Sequence, residues 1–96
     1  GGTATVEASR SRNAAVITFK NLTSPGRNEV YQLWTIPADG SAPVSAGMLT
    51  EQNISGAEPV VIENISGNKQ AAVTLEPRGG SQSPTPPFAV TVPFQD

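Results

Sequence analysis

The run Glu29-Val30-Tyr31-Gln32-Leu33-Trp34-Thr35-Ile36 holds the only Trp and the only Tyr of the chain. Its apolar residues fall on both parities: Val30, Trp34 and Ile36 on one, Tyr31 and Leu33 on the other. In a strand, successive side chains point to opposite faces. The run is therefore predicted to be a strand covered on both faces, which suits a central position in a sheet. Burying a ring the size of Trp34 removes roughly 150–250 Å² from water. Trp34 is accordingly expected to anchor the core.

On the N-terminal side, Gly1 and Gly2 read as a frayed start. Thr3–Ser9 alternates weakly and Ala14–Phe19 places Ile17 and Phe19 on one face; the polar turn Arg10–Asn13 between them makes a hairpin. Asn21–Asn28 contains Pro25-Gly26, a strong turn signal. On the C-terminal side, Pro37 stops the central strand, because Pro cannot donate to a ladder. Ala38–Ser41 is a turn around Asp39-Gly40. Pro43–Thr50 is a fourth extended piece, and Gly47 inside it marks a bulge or a close backbone approach.

Glu51–Glu58 is polar, Pro59–Glu63 is a fifth strand, and Asn64–Asn68 is a turn. Gln70–Glu76 is a sixth strand with Val73 and Leu75 on one face. Arg78–Pro87 is a loop rich in Gly, Ser and Pro. Phe88–Phe94 alternates cleanly, with Phe88, Val90, Val92 and Phe94 on one face, and Pro93 makes this last strand an edge. No segment keeps a helical period. About seven short antiparallel strands in 96 residues predict an all-β, immunoglobulin-like β-sandwich or a related Greek-key barrel. The whole chain, 1–96, is read as a single domain.

Composition narrows the chemistry. Hydrophobic residues make up 36% and charged residues 15%, with Ser, Thr, Gly, Pro, Asn and Gln filling the deficit, as short strands joined by many turns require. Net charge is −2 and the six Lys and Arg are scattered, so no basic surface with interleaved aromatics points to nucleic acid. There is no Cys and no His. That excludes a thiol nucleophile, a disulfide, a zinc site of the usual type and a His general base. No apolar run approaches the roughly 20 residues that span a bilayer, and no signal peptide is visible.

Candidate chemistry is sparse. Glu76, at a strand end before Gly79-Gly80-Ser81, could be an acid or base beside an anion-binding loop. The favoured alternative is structural: Glu76 accepts hydrogen bonds from the Gly79–Ser81 turn or from the Trp34 indole and pins the loop. Ser83-Pro84-Thr85-Pro86-Pro87 is either a polyproline recognition segment or, as favoured, a stiff connector. Ser9, Ser11 or Ser45 could act as a nucleophile only with Lys20 or Lys69, and no spacing supports that. Asp39, Glu51, Glu58 and Glu63 lack a calcium-loop pattern and read as solvated. Tyr31 and Trp34 could bind a sugar or peptide if exposed, but a mid-chain strand favours burial. Asn-Ile-Ser-Gly occurs at Asn53 and Asn64, and sequons fall at Asn21, Asn53 and Asn64. Turn chemistry is the preferred reading of all three.

Three blocks in register carry a resemblance. Tyr31-Gln32-Leu33-Trp34, then Ser45-Ala46-Gly47, then Val73-Thr74-Leu75-Glu76-Pro77-Arg78-Gly79-Gly80-Ser81 followed by Pro84-Thr85 are similar to the pattern of the C-terminal domain of anti-sigma-K factors. Pro86-Pro87 departs from it, standing where a Gly often follows. The resemblance implies a bacterial, membrane-anchored regulator without cofactors or catalysis. A cytoplasmic segment outside this chain would bind the sigma factor, and a transmembrane helix, also outside it, would lead to this domain on the extracytoplasmic side. Site proteases acting on the parent would release the sigma factor stepwise. The rival reading is an extracellular immunoglobulin-like binding or adhesion module, marked by an exposed aromatic groove or a free strand edge. An enzyme is a distant third for want of a base or metal set.

Overall fold

The structure is a computed structural model that describes residues 2–94; Gly1 of the expected frayed start lies outside them. Seven strands and one helical turn follow in order: β1 (Thr3–Ser9), β2 (Ala14–Lys20), β3 (Glu29–Pro37), β4 (Val44–Met48), α1 (Glu51–Ser55), β5 (Val60–Glu63), β6 (Asn68–Pro77) and β7 (Val90–Pro93). They form two antiparallel sheets, β1-β2-β5 and β4-β3-β6-β7. The chain changes sheet between β2 and β3, between β4 and β5, and again between β5 and β6, as in an immunoglobulin-like sandwich.

Alternation explains the core. Ala15, Ile17 and Phe19 of β2 point inward and are buried, while Val16 and Thr18 face out. Tyr31 and Leu33 of β3 meet them from the other sheet, with Ala71 and Val73 of β6 and Val90, Val92 and Phe94 at the C-terminal end. Each fully buried aliphatic or Phe side chain contributes about 1.5–3 kcal/mol. Arg10 ties one end together: its guanidinium donates to the carbonyls of Ile65 (3.3 Å), Asn68 (3.3 Å) and Phe94 (3.0 Å).

The central run is the second strand of its sheet, paired with β4 on one side and β6 on the other, and residues 31–35 are buried on both faces. β7 is an edge strand and begins at Val90; Phe88, expected within it, precedes it and is 42% exposed. Leu75, expected to share the buried face of Val73, is 37% exposed near the end of β6. The ladder shifts register between Leu33 and Trp34, opposite Gly47 and Ser45, so Ala46 is the extra residue of a bulge. Gly47 has φ +104° and nothing within 4 Å of a would-be Cβ. Its backbone conformation, not crowding, calls for glycine.

Two further expectations change. The polar stretch after Thr50 holds a helical turn, α1. Five residues are too few to show a period, and the turn is set by its caps instead. The Thr50 hydroxyl accepts from Asn53 N–H at 3.1 Å, and Asn53 Oδ1 accepts from Thr50 N–H at 2.9 Å. The expected frayed start also misses a contact: a Cβ on Gly2 would lie 2.5 Å from Leu22 Cδ2, so this residue is packed.

Candidate functional site

Trp34 and Glu76, with Gln32 and Thr74, share the outward face of β3 and β6, away from the apolar core, whereas Tyr31 faces the core. Cross-strand pairing places Gln32 beside Thr74, Trp34 beside Ala72 and Val30 beside Glu76. Trp34, Thr74 and Glu76 are 0%, 0% and 1% exposed, yet none belongs to the core cluster. Trp34 is therefore buried on the opposite side of the sheet from the one a core anchor would occupy. An outward sheet face is dry here because the segment after β6 lies across it.

Polar groups hold that segment. Ser81 Oγ donates to Glu76 Oε1 at 2.7 Å, Thr85 N–H to Oε2 at 2.8 Å and Thr85 Oγ1 to Oε1 at 2.8 Å. Thr74 Oγ1 donates to Oε2 from below, and the Trp34 indole N–H donates to Thr74 Oγ1 at 2.8 Å. The indole thus reaches Glu76 through Thr74 rather than directly. Gln32 fixes the same loop by its backbone. Its Oε1 accepts from Ser81 N–H at 2.9 Å, and its Nε2 donates to the Ser81 carbonyl at 3.1 Å and to Ser45 Oγ at 2.8 Å. Gly80 has φ +84°, and a Cβ there would sit 2.5 Å from Met48 Cε and 3.0 Å from Gln32 Oε1. A side chain there would have to push Met48 Cε aside and crowd Gln32 Oε1, in a backbone conformation that favours glycine.

Burial pushes the Glu76 carboxyl up, but the hydrogen bonds from Thr74, Thr85 and Ser81 outweigh it and bring the pKa down to about 2. The group is ionised at neutral pH and its oxygens already have four donors. A carboxylate so engaged is a fastener, not a general base. Pro77 ends β6, its carbonyl accepting from Gly80 N–H at 2.8 Å; Gly79 follows at φ +98°, and Pro84 is half-buried beside Thr85.

The remaining candidates scatter. Tyr31 is buried, and its hydroxyl donates to the Thr23 carbonyl at 2.6 Å, so neither it nor Trp34 offers a ring for stacking. Ser45 is engaged with Gln32; Ser9 and Ser11 face each other at 3.1 Å in the β1–β2 turn. Asp39 accepts from Ser41 N–H at 2.8 Å, a turn contact. Among the described residues no three acidic side chains come together as a metal site. Asn53 is buried, with Nδ2 donating to the Glu58 carbonyl at 3.0 Å, whereas Asn21 and Asn64 are exposed with φ 61°.

Two members were not singled out from the sequence: Thr74 and Gln32. The available signal was parity, since Gln32 shares a face with Trp34 and Thr74 shares one with Glu76. A polar residue on the parity of a buried Trp needs a partner.

The family described as anti-sigma-K factor rskA, C-terminal, matches residues 1–90. An anti-sigma-K factor RskA of Mycobacterium sp. (strain KMS) is 40% identical over 94 residues, covering 98% of this chain and 38% of the relative. The RskA of Mycobacterium ulcerans (strain Agy99) is 35% identical over 95 residues, 99% of this chain and 40% of its own length. The RskA of Mycobacterium tuberculosis (strain ATCC 25177 / H37Ra) is 32% identical over 93 residues, 97% and 40% respectively. The chain therefore spans about two fifths of the length of the curated relatives it matches. No solved structure matches it.

Proposed function

This chain belongs to the family of anti-sigma-K factor C-terminal domains, and from that premise we propose that it is the extracytoplasmic regulatory module of a membrane-anchored anti-sigma factor. The observation that carries the reading is the family match over residues 1–90. Anti-sigma factors are regulators, not enzymes. The geometry fits that class: among the described residues the one buried carboxylate, Glu76, has its hydrogen-bonding capacity taken up in fastening a loop. The chain acts as a single folded module that controls when site proteases cut the parent. The sigma factor is bound by a cytoplasmic segment outside this chain. The membrane anchor is likewise outside it; among the described residues no helix is long and apolar enough to cross a bilayer.

The test is a deletion in the full-length parent that removes this domain and keeps the anchor and cytoplasmic part. A rise in a reporter of the cognate sigma factor, with loss of the truncated protein, supports gating of proteolysis. An unchanged reporter and protein level would sink it. A binding or adhesion module is the second reading, favoured by one feature. β4 is an edge strand exposed at all five positions, with Val44 and Met48 at 57% and 44%. Such an edge could accept an added strand, and an unchanged reporter would move weight to it.

A further inference from the structure

The end of the sandwich where β1 begins carries a groove of about 680 Å³ between the 21–27 loop, α1 and the start of β3. Its apolar lining comes from core residues that open to water there: Leu22, Leu49 and Ile54, at 9%, 8% and 8% exposed, where Ile17 and Phe19 have none. Its charged lining is mixed: Arg27 and Arg78 stand there with Glu29 and Glu51. Among the described residues neither guanidinium has a hydrogen-bond or ion-pair partner. The groove is pre-formed. Tyr31 holds one wall through the Thr23 carbonyl, Arg78 N–H donates to the Asn28 carbonyl at 2.8 Å, and α1 is capped from Thr50.

We propose that this groove holds, in extended form, the linker segment of the parent chain that precedes this domain, and so masks that linker from protease. The inference rests on the regulatory reading above. Three observations select this occupant. Gly2 packs on Leu22, a groove residue, and Thr3 pairs with Lys20, so chain entering β1 passes beside the groove. The matched relatives are about two and a half times as long as the aligned region, and the family is a C-terminal one, so the rest of the parent arrives at this end. An extended chain advances about 3.3–3.6 Å per residue. About six upstream residues therefore cover ~20 Å, enough to cross a molecule 19 Å thick in its shortest dimension. Alternate side chains of the segment would meet Leu22, Leu49 and Ile54. Its backbone carbonyls would meet Arg27 and Arg78, as arginine's donors allow, between Glu29 and Glu51.

The experiment uses the full-length parent in native membranes, treated briefly with proteinase K from the side of this domain. Linker cleavage is timed and mapped by mass spectrometry. Ser24→Trp fills the groove from an exposed loop position, and the double variant Arg27→Glu/Arg78→Glu leaves only carboxylates among its charged side chains without touching the core. Each is expected to speed linker cleavage about tenfold while the thermal melt of the domain stays in place. Equal cleavage rates in wild type and both variants would overturn the proposal. So would protection that disappears in neutral-lipid vesicles with the groove intact, which would assign the arginines to lipid headgroups. A domain deletion that raises the sigma reporter while groove variants leave cleavage unchanged defeats this inference alone. Groove variants that expose the linker while the deletion leaves the reporter flat defeat the regulatory reading alone.

Discussion

The Trp34 indole N–H donates to the Thr74 hydroxyl at 2.8 Å, and that hydroxyl donates onward to the Glu76 carboxylate. One chain of hydrogen bonds therefore joins the largest buried ring on the outer sheet face to the loop that covers it. Thr74 is the link, with its single proton given to Glu76 and its lone pair to Trp34. Thr74→Val keeps shape and leaves a buried indole N–H without an acceptor, a loss of about 1–3 kcal/mol. Thr74→Ser should recover most of it. Urea melts followed by Trp fluorescence check both, and a wild-type midpoint for the valine variant would break the link.

Trp34→Ala removes the ring from beneath the 79–85 loop and should cost about 3–5 kcal/mol, a large part of the stability of a small domain. Trp34→Phe separates packing from hydrogen bonding. It should lose less and should leave the loop in place. Matching urea midpoints for wild type and Trp34→Ala would show the ring to be dispensable.

Gly80→Ala tests the close approach of loop to sheet. The left-handed backbone costs an L-residue about 1–2 kcal/mol, and the new methyl meets Met48 Cε and Gln32 Oε1. Met48 must swing aside and Gln32 Oε1 must give, which strains the contact from Ser81 N–H to Gln32. Faster hydrogen exchange at Ser81, with little change in β2, is the expected signature.

The fold was legible because its strands are marked by parity and its ends by Pro and Gly. β7 as an edge followed from Pro93, and the centrality of β3 from apolar residues on both faces. The sheet order needed long-range pairing that no local pattern encodes. The repeated Asn-Ile-Ser-Gly shows the limit. At Asn53 it sits in α1 with Asn53 buried, and at Asn64 it is a turn with that Asn exposed. Both Ile side chains are buried, Ile54 at 8% and Ile65 at 0%, so the tetrapeptide announces a buried Ile but not its backbone. Neighbours decide: Thr50 supplies a cap to the first copy, while Asn13 Oδ1 and its carbonyl bind Ser66 N–H and Asn64 N–H of the second. At the candidate site, Glu76 stood out as a carboxylate before Gly-Gly. Gln32, which holds the same loop, lies 49 positions before its partner Ser81; its parity with Trp34 marks its face, but no local pattern encodes that pairing.

Glu76 gives a prediction in pH. Its folded pKa, about 2, lies below the ordinary value of 4.5. Stability from its ionised form is thus complete above about 4.5 and is lost as pH falls toward 2. Burial alone would give the opposite sign, since it favours the neutral carboxyl; the donors from Thr74, Thr85 and Ser81 reverse it. Glu76→Gln keeps the shape and removes the charge: its Nε2 can face the Ser81 and Thr85 hydroxyls, which turn to accept, but neutral hydrogen bonds then replace the charge-assisted ones. Hydrogen bonds to charged groups contribute about 1.5–3 kcal/mol each, so the variant should be less stable at pH 7 by a few kcal/mol. Its disadvantage should shrink as pH drops from 4.5 to 2, because the wild type loses the same charge. Urea midpoints of the two proteins across that range measure the gap directly, and subtracting them cancels the other carboxylates. A gap that stays constant with pH would mean that Glu76 is not the group whose ionisation holds the loop.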